Sequence, residues 1–438
     1  MSATPKFQDP SYIDHINQIT TVNSIYDGVD SAKAFIYKFG EEDTKDYEAR
    51  QDMSSLANYV KTTVDTISDI VFRKQIDQEG VSNATVKEWL KTIDLVNDID
   101  SFGRDLLKNH SKDGHTFILT DSMFFNPDDV PTNAAADGIR PFLLNILRKD
   151  IPNWECDSMG RYLRATINRT VTEPVGDYGF KYIQQQRVFL RGGIVEIWED
   201  DKKIDTITDL PWDYVPLTKV GNSLIPELYD QAKININHFN RNSELENYTR
   251  VGGAPFLAVF GSLKQEGDQP STLGITDGLS FQDSQNSDIK WVEMSGANYD
   301  MIAKHILFHK EEMIRISVEF ATERSNATAT EVEKDSTSKE SKLNSYANEI
   351  EDGLNSAIAL FQVYWRSSLG ENIVIVNKDF SSNILTDKQI ELVINLLNSG
   401  NMSFERAMNI LSKGEVLPMI TEKELDDEKS RLRNQGDI

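Results

Sequence analysis

The apolar positions of this chain change period along its length. Near the start, Tyr12, Ile13, Ile16, Ile19, Val22 and Tyr26 predict a helix from Ser11 to about Phe39. Leu56, Val60, Val64, Ile67, Ile70 and Val71 predict a second from about Gln51 to Phe72, and a third is expected from Val86 to Leu107. Residues three and four apart share one helix face, so these spacings mark amphipathic helices. The period then shortens. His115 to Thr120 reads as a short apolar strand, and Asn126 to Gly138, with Pro127 and Pro131, as a loop. Tyr162 to Thr172 and Phe180 to Leu190 alternate between apolar and polar, and Gly192-Gly193 marks a turn. Ile194 to Trp198 and Ile204 to Ile207 flank the polar run Glu199 to Lys203, the signature of a hairpin.

From Asn222 the helical period returns. Pro226 suits a first helical turn, where its missing N–H costs nothing. Ile225, Leu228, Ala232, Ile236 and Phe239 predict one stripe on a helix reaching about Tyr248, ended by Gly252-Gly253 and Pro255. Short strands are expected at Phe256 to Phe260, Leu279 to Phe281 and Ile289 to Met294. A second long helix is predicted from Ala297 to Phe320. Its apolar stripe is Ile302, Ile306, His309, Met313, Ile316 and Phe320, with Lys304, Glu311, Glu312, Arg315 and Glu319 opposite. After a polar linker, Ala321 to Thr328, Thr330 and Glu333 form a capping box for a helix running past Leu343, Ile350 and Phe361 to about Leu369. Ile373 to Val376 reads as a buried strand, and two short helices follow. Thr386 with Gln389 caps the first, which Ser399-Gly400 ends; Ser403 and Gly414 bound the second.

Composition narrows the function. The 438 residues include 70 acidic against 46 basic ones, a formal net charge of -24. Wrapping nucleic acid requires clustered Lys and Arg that displace phosphate counterions, and this chain has the opposite sign. Two readings survive: a protein that ignores DNA, or one past which DNA must slide without being gripped. No apolar run approaches the length of a membrane span, and the N-terminus lacks the apolar core of a signal peptide, so export is not expected. Cys156 is the sole cysteine, which excludes an internal disulfide and fits a reducing site of synthesis.

Catalytic patterns are missing. There is no phosphate-cradling G-x-x-x-x-G-K-[ST] loop, no G-x-S-x-G elbow, no H-E-x-x-H and no multi-cysteine site. His305 and His309 stand one helical turn apart, but His309 lies on the apolar stripe, so a structural role is expected for it. Runs such as Glu41-Glu42-Asp43 and Glu199-Asp200-Asp201 read as solvated turns and faces. No catalytic, cofactor or metal residue is assigned.

The order of the elements resembles the portal proteins of tailed bacteriophages. The resemblance is carried by Asp9 to Gly28, Thr62 to Lys74, Arg140 to Trp154, Pro226 to Phe260 and, most specifically, Asn377 to Pro418. The stretch Gln265 to Asp288 departs from that pattern. The resemblance implies an α+β, predominantly helical fold in wing, stem, clip and crown regions, with a β-rich block in the wing and a small β-rich clip. By it, residues 1–222 and 330–384 form the wing, 223–249 and 297–320 the two stem helices, and 250–296 the clip. Residues 321–329 form a channel loop and 385–438 the crown. It further implies a homo-oligomeric ring, commonly of about twelve subunits, at a capsid vertex of the virion, assembled in the host cytoplasm. Double-stranded DNA would pass through it without sequence specificity during packaging and ejection. The terminase large subunit, a head–tail adaptor, and the major capsid and scaffolding proteins would be its partners, with no membrane involved. Arg324, Glu323 and Asn326 in the channel loop, and Lys304 and Arg315 on the second stem helix, become the candidates for facing DNA; Arg324 is equally read as an ordinary loop residue, and Lys304 and Arg315 as pairing with Glu311, Glu312 or Glu319 at helical spacing. A monomeric scaffold or binding protein, and a metal-dependent nuclease of the same assembly, remain as alternatives.

Overall fold

The computed structural model describes residues 5–122, 140–252, 256–260, 288–292, 296–321, 329–365, 367–378, 380, 387–399, 406–407 and 410. The chain divides into two compact units, Met1–Lys378 and Asp379–Ile438. The fold class is α+β, with antiparallel sheets set among helices.

Each of the three long helices expected near the start is broken in two. The first is α1 (Pro10–Asp27) followed by the short α2 (Val29–Ala32) and a 3-10 turn at Lys33–Phe35. Asp9 caps α1, its Oδ1 accepting from the Ser11 N–H at 2.8 Å, and Gly28 ends it at φ +111°, a backbone region open chiefly to glycine. The second divides into α3 (Thr44–Met53) and α4 (Tyr59–Val71), the third into α5 (Ala84–Trp89) and α6 (Ile99–Asp113). Apolar spacing continues across each break, which is why the period alone hides them. α6 is bounded by Asp98, which caps the Ser101 N–H, and by Gly114 in the left-handed region.

A three-stranded antiparallel sheet follows, in the order β2 (Pro141–Ile146), β1 (Thr116–Ser122), β8 (Leu217–Val220). Between β2 and β8 in sequence lies a five-stranded antiparallel meander: β3 (Asn153–Cys156), β4 (Tyr162–Val175), β5 (Gly179–Leu190), β6 (Ile194–Glu199) and β7 (Lys202–Ile207). The β-rich block expected from alternation is therefore present, and within the Glu199–Lys203 run the β6–β7 turn is Asp200–Asp201, with Glu199 paired to Lys202. The two sheets share one apolar core, in which Phe117, Leu119, Ile167, Phe189, Trp212 and Tyr364 are buried together.

The remaining helices are α7 (Tyr229–Gly252), α8 (Gly296–Ala321), α9 (Ala329–Ala359) and α10 (Phe361–Tyr364); strands β9 (Phe256–Phe260) and β10 (Asp288–Val292) pair antiparallel between α7 and α8. α9 lies against β1, β8 and α6 and stops ten residues short of the expected Leu369. Its expected capping box, Thr330 with Glu333, the loop Asn126 to Gly138 and the strand Leu279 to Phe281 fall outside the described residues or side chains. The expected buried strand at Ile373 to Val376 is a half-buried extended segment. Val374 and Val376 face inward, Ile373 and Ile375 outward, and it touches Asp77 and Val81 only through isolated bridges. In the second unit, α11 (Asp387–Asn398) packs Val393 against Ala407.

Candidate functional site: a helical hairpin on a polar seam

α7 and α8 run antiparallel. Gln231 near the start of α7 donates to the Ser317 hydroxyl at 2.8 Å and to the Met313 carbonyl at 3.3 Å near the end of α8, and His238 lies opposite His309. At 1.5 Å per residue the helices are about 36 and 39 Å long, with the β9–β10 ribbon joining their far ends. The inward face of α8 is the expected stripe: Ile302, Ile306, His309 and Ile316 are half-buried and Met313 is fully buried.

The buried face of α7 differs from expectation. Ile225 is exposed and Ile236 only half-buried, whereas Gln231, Asn235, His238, Asn240 and Ser243 are buried beside Leu228, Ala232 and Phe239. These amides grip the backbone where the N-terminal helices break. Asn235 donates to the Ala57 carbonyl at 2.9 Å and accepts from the Tyr59 N–H at 3.1 Å, spanning the α3–α4 gap. Asn240 does the same for the Phe35 carbonyl at 3.0 Å and the Tyr37 N–H at 3.2 Å, just past α2. Helix ends leave backbone groups without internal partners, and here side chains from α7 supply them. Arg50, 1% exposed, clamps the same seam. It donates to both Glu42 carboxylate oxygens and to the Tyr37 carbonyl at 2.7 Å, to Ser243 Oγ at 2.8 Å, and its guanidinium lies 4.4 Å over the Phe39 ring. The guanidinium holds the Glu42 carboxyl below its ordinary pKa. Apolar periodicity could not find these residues. The available signal is the crowding of Asn, a poor helix former, into one helix at Asn235, Asn237, Asn240, Asn242 and Asn247.

Further out on the hairpin, His238 and His309 are both held below the ordinary imidazole pKa. Burial is the main cause for each, followed for His238 by His309 and Lys310, and for His309 by His305 and Arg241. Among the described residues no cluster of three His, Cys, Asp or Glu side chains is arranged to hold a metal ion. The outer faces of α8 are apolar in part: Tyr299, Leu307 and Ile314 lie on one flank, Met301 (58% exposed) and Phe308 (54%) on another. Lys304 and Arg315 are both exposed on the side away from α7, about three turns apart and bracketing Phe308, and neither pairs with Glu311 or Glu312. Glu323, Arg324 and Asn326 lie outside the described residues.

Elsewhere, a cavity of about 510 Å³ lies beside α6, but its basic groups are engaged. Lys108 pairs with Asp65 at 2.9 Å, and the Lys112 ammonium rests 4.3 Å from the centre of the Tyr26 ring. No described helix is long and apolar enough to cross a membrane.

The fold and this site define an α+β protein whose distinctive described element is a helical hairpin, α7–α8, held to the body by a polar seam. Residues 227–365, about a third of the chain and the part that holds α7 to α10, match the family model described as "Domain of unknown function (DUF4055)". No curated protein matches the chain in sequence. Among solved structures it is similar to a chain of the virion of the native gene transfer agent particle, at 9% identity and a TM-score of 0.46, over 81% of this chain and 89% of that one. It is likewise similar to a chain of the neck of the empty particle, computed with C6 symmetry (11% identity, TM-score 0.40, 84% and 92% covered). A chain of the neck of the native particle, computed with C12 symmetry, gives 10% identity, a TM-score of 0.39 and 81% and 89% coverage.

Proposed function

We propose that this chain is the subunit of a ring of about twelve copies at a capsid vertex of a tailed bacteriophage, through which double-stranded DNA is packaged and later ejected. The observation that carries this reading is the α7–α8 hairpin. One side of it is fixed to the body by the amide seam, while the outer flanks of α8 leave Tyr299, Met301, Leu307, Phe308 and Ile314 exposed. Copies arranged around an axis would cover those flanks and close without a free end. The resemblance to phage portals carried by Asp9 to Gly28, Thr62 to Lys74, Arg140 to Trp154, Pro226 to Phe260 and Asn377 to Pro418 supports the same reading.

Its chemistry toward DNA is passive. α7 and α8 together carry seven acidic and six basic residues, so the acidity of a chain at -24 lies mainly outside the hairpin. A nearly neutral helical wall neither grips phosphates nor repels them strongly, which lets a separate ATPase drive the duplex. In this reading Arg324, with Glu323 and Asn326 in the same segment, would meet the DNA backbone, and Lys304 and Arg315 would do so only where neighbouring copies leave them uncovered. The β9–β10 end would dock the terminase large subunit during packaging and the head–tail adaptor afterwards, and capsid and scaffolding proteins would surround the body. Assembly would take place in the host cytoplasm.

Electron microscopy of the purified chain tests the reading. Annular particles with an axial channel are expected; a monodisperse monomer under every assembly condition would overturn it and leave the monomeric scaffold in its place.

A further inference from the structure

The β4–β5 hairpin outgrows its sheet. β3 pairs with β4 only as far as Thr166, and β6 pairs with β5 only from Gln185 onward. Among the described residues, the rungs from Thr170↔Gln184 to Val175↔Gly179 therefore have no third strand on either side. Thr170 to Val175 spans about 20 Å at 3.3 Å per residue, so among the described residues a two-stranded arm extends beyond the sheet with both backbone edges open.

Cross-strand partners in an antiparallel pair share a face. On one face of the arm, near its base, Gln186 donates to Asn168 at 3.2 Å and Gln184 to Thr170 at 2.9 Å. Further out the same face becomes aromatic. Tyr182 stands across from Thr172 and Phe180 across from Pro174, their rings edge-to-face at 5.3 Å. Tyr178 follows at the turn. Phe180 is 62%, Tyr182 69% and Tyr178 102% exposed. The opposite face carries the Lys181–Glu173 pair at 2.7 Å. An isolated two-stranded ribbon is marginal in water, and exposed rings of this kind are the residues that dominate protein interfaces once covered.

Charge selects the occupant. From Asn168 to Gln184 the arm holds Arg169, Lys181, Glu173 and Asp177, a net of zero on a chain of net -24. Two copies of such a chain repel one another over most of their surfaces, and an uncharged aromatic arm is where they can meet without that penalty. Nucleic acid is disfavoured because the arm carries no net positive charge and Lys181, between Phe180 and Tyr182 in sequence, is paired with Glu173. We infer that the aromatic face of the β4–β5 arm docks onto a neighbouring copy of this chain and links successive copies; this rests on the ring reading above and names a contact that would hold it together.

The test uses the full chain. Phe180→Ser with Tyr182→Ser removes the aromatic face at exposed positions, so the thermal melt of the subunit should not move, while the fraction assembled at a given concentration falls at least about tenfold. In parallel, p-benzoylphenylalanine in place of Tyr178 should give photo-crosslinks between copies, mapped by peptide mass spectrometry. Rings that form undiminished in the double variant, with crosslinks absent or confined to one chain, overturn the arm contact and leave the ring standing. Crosslinks between copies in a wild-type protein that never forms annular particles would overturn the ring and leave the contact.

Discussion

Two interiors of this protein are built from opposite chemistry. Between the sheets, Phe117, Phe189, Trp212 and Tyr364 form an apolar core in which shape does the work. Along α7 the buried face sets Gln231, Asn235, Asn240 and Ser243 beside Ala232 and Phe239, and directional hydrogen bonds carry the contact with the broken helices. Around that core the ladders pair the strands' backbone with one another, so apolar side chains suffice above and below them. The broken helices beneath α7 do not, and an apolar face there would strand Phe35, Tyr37, Ala57 and Tyr59 backbone groups away from water at a cost of about 1–3 kcal/mol each. Polar contacts of this kind also fix one register for the hairpin, whereas an apolar stripe tolerates sliding.

The largest expected effect that separates the two regions is acid sensitivity. In the sheet core the titratable members Tyr162 and Tyr364 are pushed up by burial, so neither changes charge below pH 7. Where the chain enters β1, His115 is buried, donates Nδ1–H at 2.7 Å to the carbonyl of Ser223 in the polar run that leads into α7, and is pulled down to about 3, first by burial and then by Arg148. A depressed folded pKa means that the folded state binds fewer protons than the unfolded one. Stability is then intact above about pH 6.5 and lost as pH falls toward 3, by about 4–5 kcal/mol at full titration. Asp113 nearby has the opposite sign, because burial raises its carboxyl and acidification relieves it. Urea denaturation at stepped pH should therefore show a steeper acid loss for the wild type than for His115→Asn, which keeps a donor without the titration. Equal slopes would remove His115 from the account.

The same contrast decides what could be read in advance. The inward face of α8 was legible because Ile302, Ile306, Met313 and Ile316 repeat at helical spacing, and the meander because its strands alternate and its turns carry Gly and charged runs. The breaks at Gly28, at Ser54 to Asn58 and at Asp94 to Asp98 were not, since Ile25, Leu56 and Val60 keep the apolar period through or beside them. The pairing of β1 with β8, from Thr116↔Val220 to Leu119↔Leu217, joins residues about a hundred positions apart, and no local pattern encodes it. Of the candidate site, Lys304 and Arg315 are exposed on α8 as their position opposite the stripe implies, while the amides of α7 carry no apolar signature at all.

Next in size is the Arg50 clamp. Arg50→Ala leaves Glu42 without its bidentate partner in a site where both side chains are buried, and it frees the Tyr37 carbonyl and Ser243 hydroxyl together. A loss of about 3–5 kcal/mol is expected, the cost of removing one partner of a buried pair. Glu42→Gln keeps an acceptor oxygen and should lose less. A change below 1 kcal/mol in equilibrium unfolding for Arg50→Ala would show that water replaces the clamp, and the seam would then be no more specific than an apolar contact.

The smallest effect is the sharpest. Asn235→Ala removes one donor and one acceptor, and strands the Ala57 carbonyl and the Tyr59 N–H in the gap between α3 and α4. The expected cost is about 1–3 kcal/mol. Asn235→Leu restores volume and apolar area but not the hydrogen bonds, so the two variants separate packing from directionality. If the seam works by gripping backbone, leucine is no better than alanine, and amide exchange at Tyr59 accelerates in both. If leucine instead recovers wild-type stability, α7 is an ordinary apolar helix with polar decoration, and its register against the body is no longer held by the asparagines.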